Sequence, residues 1–502
     1  MNLDPDTCYK AVASHDRRFD GRFFVGVSST GVYCRPVCAV RTPKRENCSF
    51  YESAAAAEKH GFRPCLRCRP ELAPGHGLAD ISGRLAQAAA TLIDEGFMAE
   101  GSVAALAARI GVTERHLRRL FDAQFGVSVL EYAQTQRLLL AKRLLADTAL
   151  PVTEVALAAG FGSVRRFNDV LKTRYGLTPV ALRRRAAEGV ADRLVFELGY
   201  RPPLAWDAWL GFLATRAVDG IEQVRDGAYA RTLQVEAGGG THVGWVRIDH
   251  VPRRLVLRVT LSASLARVIP QALGKVRRLC DLGCRPDVVD RHLGELAQAV
   301  PGMRLPGSVD GFEIAVRAVV GQVISVVHAR RILAALSERA GQALPDTAPA
   351  GLRFAFPSAA ALAAMAPQTL RDAGVPAGKA RTLQALAQRV ADGTLALDAH
   401  APPEQTVAAL RAIDGIGDWT AQYVAMRALG WPDAFPGTDY ALRKVLGVST
   451  VRAMHERTAQ WAPWRAYAAI HLWHRYEAMK DNAAAAAAPP AETAANEPET
   501  IP

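Results

Sequence analysis

The sequence predicts a multidomain α+β protein, and three observations carry that prediction. The chain has 502 residues, more than one ordinary hydrophobic core accommodates. Its apolar periodicity is helix-like up to about residue 188, strand-like from Leu194, and helix-like again from about Leu265. Six of its eight cysteines lie within the first 68 residues. Together these divide the chain into a small α/β domain (1–76), an all-α domain (77–190), a β-rich α+β subdomain (191–304), an all-α domain (305–480) and a disordered tail (481–502).

Composition narrows the function. Half of the residues are hydrophobic, so each unit can bury a core, and formal charge is +12. Residues 1–190 hold 27 Lys and Arg minus 19 Asp and Glu, leaving +8, as expected of a polyanion partner. The start "MNLDPDTCYK" has no apolar h-region and no run of eighteen apolar residues occurs, which predicts a soluble cytoplasmic protein without a membrane partner. In a reducing compartment the cysteines read as metal ligands or nucleophiles rather than disulfides.

The first region closes at "RPELAPGHG", a run of turn residues. Within it stand Cys34-x3-Cys38 and Cys65-x2-Cys68. Two close pairs bend the chain so that four thiolates converge, the arrangement of a tetrahedral Zn2+ site. Cys8 and Cys48 fall outside the spacing and read as packing residues. By spacing alone such a zinc is a structural staple for a domain with little core. The stretches "TGVYCRP", "REN", "SFY" and "GFRPC" closely resemble the N-terminal domain of the adaptive-response (Ada) methylphosphotriester repair proteins. The resemblance implies that Cys34, the first cysteine of the C-x-x-x-C, is both zinc ligand and methyl acceptor, with Arg35, Arg41, Lys44 and Arg45 holding the DNA backbone. Four thiolates and one Zn2+ carry about −2, and methylating Cys34 leaves about −1. One charge at about 5 Å from a phosphate is worth roughly 1–3 kcal/mol, so methylation should tighten promoter binding about five- to a hundredfold.

The second region holds two similar passages, "SVAALAARIGVTERHLRRLFDAQFGVSVLEY" and "PVTEVALAAGFGSVRRFNDVLKTRYGLTPVAL". Each reads as helix, Gly-centred turn and helix, the grammar of a helix-turn-helix. The tandem resembles AraC-type regulators. Arg115, His116, Arg118 and Arg119 in the first, and Ser163, Arg165 and Arg166 in the second, are the candidate contacts to phosphates and base edges. A solvated helix face is the alternative for any one of them.

"RLVFELGY", "ARTLQVEA", "THVGWVRIDH" and "RRLVLRVTLS" read as strands, with the isolated His242, His250 and His292 assigned to structure. Beyond them, "LRAIDGIGDWTAQYVAMRAL" places a G-I-G turn between two helices. Gly415 and Gly417 there let backbone N–H groups approach a phosphate, with a monovalent cation possible on the turn's carbonyls. "FPGTDYALRKVLG" follows, with Asp439 at an apparent helix start, where an ordinary N-cap is the alternative role. Hairpin, loop and Asp resemble the helix-hairpin-helix DNA glycosylases, and residues 201–480 resemble the AlkA-type 3-methyladenine glycosylase. That resemblance implies Asp439 as catalytic carboxylate, a base pocket of Trp473, Trp419, Tyr423 and Phe212, and Gln322 and Val323 where residues wedge into the duplex. The family would place a larger Leu at the wedge. Trp419 stands where bifunctional relatives carry a lysine, which implies a monofunctional hydrolase.

The expectation is therefore an alkylation sensor that activates transcription and also excises bases such as 3-methyladenine. Its partners would be double-stranded alkylated DNA, promoter DNA and RNA polymerase, and it would act as a monomer. Two other readings are a regulator whose glycosylase half only holds DNA, and a zinc-stapled regulator whose Cys34 never reacts.

Overall fold

The computed structural model describes residues 4–75, 84–99, 101–183, 193–345 and 347–487. The predicted boundaries at 76/77 and 190/191 lie outside the described residues. The predicted tail is corrected at its start: the last helix runs Arg465–Ala487, because its alanines are strong helix formers. The remainder of the tail lies outside the described residues.

The N-terminal domain is a four-stranded sheet in the order β3-β1-β2-β4, with β1 Phe24–Val27, β2 Val32–Cys34, β3 Cys48–Tyr51 and β4 Arg63–Pro64. β2 pairs antiparallel with β1 and parallel with β4. The helix Ala54–Lys59 follows β3, with the Ser53 hydroxyl accepting from the Ala56 N–H at 3.0 Å.

The next region is helical. Val103–Arg109 and Glu114–Phe125 form one helix-turn-helix, and Val152–Ala158 and Val164–Tyr175 the other. Both second helices end on a left-handed glycine, Gly126 and Gly176, the conformation a Cβ disfavours. The sequence reads as short helices throughout, but one helix of 19 residues, Val129–Asp147, connects the two units. A Ser128/Glu131 capping box starts it.

A five-stranded antiparallel sheet follows in the order β5-β9-β8-β7-β6, with β5 Arg193–Gly199, β6 Glu222–Arg225, β7 Ala228–Ala237, β8 Gly240–Val251 and β9 Val256–Ser262. Four of these strands are the predicted ones. β6, "EQVR", lacks an apolar run and is legible only through its pairing with β7. His250 meets the Tyr200 hydroxyl at 2.7 Å. The sheet is joined to the C-terminal helices by a buried charge network. Arg231 meets Glu222 at 3.2 Å and Glu313 at 2.6 Å, and Arg317 meets Glu222 at 2.6 Å. Glu313 and Arg317 lie on the helix Gly311–Val320. Among the described residues no helix is long and apolar enough to cross a membrane.

Arg201 ties the modules together. It is 1% exposed, and its guanidinium donates to the carbonyls of Asp20 at 3.0 Å, Gly75 at 3.1 Å and Gly283 at 3.1 Å. The fit leaves no room at Gly21, where a Cβ would stand 2.1 Å from the Pro74 carbonyl oxygen. Lys142 on the connecting helix reaches Glu71 at 2.6 Å, with both side chains buried.

Replacing Arg201 by Met would strip three carbonyls of their donor, and the buried one, Asp20, would be left unsatisfied at a cost of about 1–3 kcal/mol. The midpoint of thermal unfolding, measured by calorimetry on the full chain, is expected to fall by several degrees. An unchanged midpoint would show that the tie contributes nothing.

Candidate functional site

Two constellations stand out, one in each half of the chain. In the first, the sulfurs of Cys34, Cys38, Cys65 and Cys68 all lie within 4.8 Å of one another. Cys34 ends β2 and Cys65 follows β4, so the parallel pairing of these two strands brings the cysteine pairs together. Four Zn–S bonds of about 2.3 Å in a tetrahedron require sulfurs about 3.8 Å apart, which this cluster accommodates. Backbone N–H groups also point at it: Arg35 donates to Cys68 Sγ and Arg67 to Cys65 Sγ, each at 3.4 Å. Such donors offset the negative charge of bound thiolates. Cys8 and Cys48 are buried in the neighbouring apolar core, and burial pushes the Cys8 thiol up to about 11, so both are packing thiols. Cys280 and Cys284 are buried in the C-terminal half, where burial pushes Cys284 up to about 12.

The cations around the cluster divide into two kinds. Arg35 is turned inward: its Nε donates to Asp20 Oδ1 at 2.8 Å, its Nη2 meets the other carboxylate oxygen, and its Nη1 donates to the Cys68 carbonyl at 3.1 Å. In this structure Arg35 braces the cluster, because a carboxylate within reach outcompetes solvent for its guanidinium. Lys44 and Arg41 are exposed, and Arg45 lies over the rings of Tyr9 and Phe50. These three can face a polyanion.

In the helical region Arg115, Arg165 and Arg166 are exposed. Arg118 is paired with Glu114 four residues back, and Arg119 meets His116 Nδ1 at 3.1 Å. Ser163 is the N-cap of its helix, its hydroxyl accepting from the Arg166 N–H at 3.2 Å. That side chain has a structural partner, while its place at the helix start keeps it beside the exposed arginines.

The second constellation centres on Asp439. It is the N-cap of the helix Tyr440–Leu446, with Oδ1 accepting from the Leu442 N–H at 3.0 Å. The Trp473 indole also donates to Oδ1, at 3.1 Å, and the Trp419 indole donates to Oδ2 at 2.8 Å. Asp439 thus fills the N-cap role and is at the same time held by two indoles. Trp419 and Tyr423, four residues apart on the helix Asp418–Arg427, stack at 5.1 Å and 11°. Tyr423 lies 6.1 Å from Trp473, which stacks on Phe212 at 6.4 Å. The structure therefore joins all four predicted aromatics and the carboxylate in one cleft.

Two arginines in the cleft's wall were missed. Arg427 donates to the Tyr423 hydroxyl at 2.6 Å and to the Gly307 carbonyl at 3.3 Å. Arg216 lies over Phe212 at 4.0 Å. Each follows an expected aromatic by four residues on the same stretch, so helical spacing could have found them.

The hairpin is built as predicted, with Gly415 at φ +87° between Pro403–Arg411 and Asp418–Arg427. A Cβ at Gly415 would meet Thr382 Oγ1 at 2.3 Å, while Gly417 faces open space. Gln322 does not point outward. Its Nε2 donates to the Gly415 carbonyl at 3.0 Å and to Thr420 Oγ1 at 2.9 Å, so in this structure it clamps the hairpin, whose turn carbonyl needs a donor. Val323 beside it is fully exposed at φ +57°, an uncommon conformation for a β-branched residue. Lys379 holds that turn, donating to the carbonyls of Val320 at 2.8 Å and Gln322 at 2.6 Å.

Known proteins carry the same modules in the same order. The metal-binding domain of Ada matches residues 7–71, a helix-turn-helix domain matches 106–185, and the AlkA N-terminal domain matches 195–310. Over 497 residues the chain is 41% identical to a probable bifunctional transcriptional activator/DNA repair enzyme AlkA of Mycobacterium tuberculosis, covering 95% of this chain and 97% of that one. The chain belongs to this AlkA-type bifunctional family. Its C-terminal part is 38% identical over 280 residues to DNA-3-methyladenine glycosylase 2 of Escherichia coli, covering 56% of this chain and 97% of that one. Its N-terminal part is 37% identical over 163 residues to the bifunctional enzyme Ada of Escherichia coli, covering 32% and 43% respectively. The four-cysteine cluster is accordingly the zinc site of this family's Ada domain.

Trp419→Phe keeps the stack on Tyr423 but removes the N–H that holds Asp439 Oδ2. A hydrogen bond to a charged group is worth about 1.5–3 kcal/mol, so single-turnover base release is expected to slow about 10- to 100-fold with DNA affinity nearly unchanged. A wild-type rate would mean that the indole serves packing alone. Cys65→Ala removes one zinc ligand, and residues 1–75 of the full chain should then lose protection from proteolysis and half or more of the bound zinc. Retention of both would refute the ligand set.

Proposed function

We infer that this protein senses and repairs alkylated DNA by combining three activities: methyl transfer from DNA methylphosphotriesters, activation of transcription, and hydrolytic excision of alkylated bases such as 3-methyladenine. One observation carries the reading of the C-terminal half: the Asp439 carboxylate is pinned by two indole N–H groups at an aromatic cleft.

The residues suit the chemistry. An alkylated purine is cationic, a good leaving group, and is attracted to the faces of Trp419, Tyr423 and Trp473. It must first be flipped from the stack. Val323, exposed and held in a strained turn by Lys379, is the residue placed to fill the gap, and Gly415 and Gly417 to approach the phosphates, with or without a monovalent cation on the turn. Asp439 then faces the positive charge that develops on the sugar, or orients the attacking water. Its double tether fixes the carboxylate before the substrate arrives, so no reorganisation is needed at the moment of reaction.

In the N-terminal half Cys34 is the acceptor. Bound zinc keeps the four thiolates deprotonated at neutral pH while the sulfur remains nucleophilic. The Cys34 sulfur donates an electron pair to the methyl carbon, the S–C bond forms, and the C–O bond breaks. The phosphate oxygen leaves with that bond's electrons as an ordinary phosphodiester anion. Arg41, Lys44 and Arg45 face the phosphates, and Arg115, Arg165 and Arg166 carry promoter contact. The protein acts in the cytoplasm, as a monomer, on double-stranded DNA and with RNA polymerase.

A single assay separates the activities. Incubation with DNA carrying labelled methyl groups on both bases and phosphates should yield free labelled base and labelled protein. Asp439→Asn is expected to abolish base release while protein labelling continues, and Cys34→Ala to do the reverse. Base release at the wild-type rate by Asp439→Asn would leave the C-terminal half as a DNA-holding module with its chemistry elsewhere. Protein labelling that survives in Cys34→Ala would refute the acceptor.

A further inference from the structure

Strand β2 has two faces with different connections. Successive side chains on a strand point to opposite sides, so Cys34 enters the sulfur cluster while Tyr33 points away from it, fully buried. The Tyr33 hydroxyl donates to Glu58 Oε1 at 3.1 Å. Glu58 lies on the helix Ala54–Lys59 and is 6% exposed. The same oxygen accepts from the Tyr175 hydroxyl at 2.9 Å, and Oε2 accepts from Thr135 Oγ1 at 2.9 Å. Tyr175 is the last residue of the second recognition helix, and Thr135 lies on the helix that connects the two units. One buried carboxylate therefore binds three hydroxyls from three elements: the strand that carries Cys34, the connecting helix and a recognition helix.

This arrangement serves neither the zinc cluster nor the base cleft. A buried carboxylate bound by neutral hydroxyls is a costly way to glue helices together, since apolar residues of similar volume pack such a site at least as stably. What hydroxyl-to-carboxylate bonds add is direction: each weakens as its partners separate or tilt off the O–H···O line, whereas apolar contact tolerates sliding. The other face of the same strand carries the reacting sulfur. The thiolate, not a neutral sulfur, is the strong metal ligand, so methylating Cys34 weakens one of the four holds that the cluster has on the chain, at the residue next to Tyr33. The second recognition helix also packs against β4, the strand paired with β2 at Tyr33 and Pro64.

We propose that Glu58 is a positioning residue through which β2 reports the methylation state of Cys34 to the second recognition helix. The proposal rests on Cys34 being the methyl acceptor, and it adds a mechanical route to the loss of one negative charge at the cluster. Charge alone acts on whatever phosphate lies near the zinc. The Tyr33–Glu58–Tyr175 chain makes the promoter contacts of the second recognition helix depend on the same event.

The test uses the full-length, zinc-loaded protein and its Tyr175→Phe variant, which loses one hydroxyl and keeps the ring. Each is methylated with methylphosphotriester DNA, the modified residue is identified by mass spectrometry, and promoter affinity is titrated at fixed salt before and after. Wild type should bind five- to a hundredfold tighter after methylation. In Tyr175→Phe that ratio is expected to fall towards one, while Cys34 is labelled at the wild-type rate and base release is unchanged. Equal loss of affinity in both states, with the ratio preserved, would show that Glu58 only packs the junction and would overturn the relay while the acceptor assignment stands. Absence of label on Cys34 in wild type would overturn both. Should Tyr175→Phe lose zinc or its cooperative unfolding transition, Thr135→Val tests the same ratio from the connecting helix, and a preserved ratio there overturns the relay equally.

Discussion

A guanidinium buried among carbonyls is the constraint on which the rest of this architecture depends. Arg201 cannot remain charged in the interior unless its N–H groups find acceptors, and the acceptors it finds belong to separate modules: Asp20 and Gly75 at the N-terminal end, Gly283 in the C-terminal half. Satisfying one side chain therefore fixes the relation between the two halves. The tie continues inward, because the carboxylate of Asp20, whose carbonyl serves Arg201, pairs with Arg35, and Arg35 in turn donates its backbone N–H to Cys68 Sγ. The zinc cluster and the glycosylase half thus share a continuous chain of polar contacts.

The Asp439 cluster follows a similar logic at closer range. Its carboxylate sits on one helix start, and the donors that hold it come from two other helices, Asp418–Arg427 and Arg465–Ala487. Phe212 comes from a fourth, Trp206–Ala214. None of these elements forms the site alone, and the charge network of Glu222, Arg231, Glu313 and Arg317 ties the sheet to the neighbouring helix Gly311–Val320. Rigidity in such a site is a catalytic asset, since donors fixed before substrate arrives need not reorganise in the transition state.

The parts legible in the sequence were those whose chemistry is written within a short stretch. Cys34, Cys38, Cys65 and Cys68 announced a metal by spacing, and Asp439 with the G-I-G hairpin announced the cleft through resemblance. Helix-turn-helix units were visible in their glycines and apolar periodicity. Long-range pairing was not. Nothing local to Arg35 says that Asp20 lies within reach, so its bond there was not legible. Nor does anything local to Gln322 announce its bond to the Gly415 carbonyl. Glu58 is 77 residues from Thr135 and 117 from Tyr175, and nothing near it in the chain announces either partner. β6 has too few apolar residues to read as a strand and exists because β7 offers it an edge.

The helix Val129–Asp147 turns the two DNA-reading units into a ruler. Nineteen residues at about 1.5 Å each span roughly 28 Å, somewhat less than the 34 Å of one turn of the duplex. Held on such a rod, the two recognition helices cannot choose their separation. The DNA must supply it, presenting successive major-groove segments on one side of its cylinder. Helical phase therefore becomes part of what the protein reads: base pairs inserted between the two contacted segments would rotate one of them out of reach even with every contacted base intact.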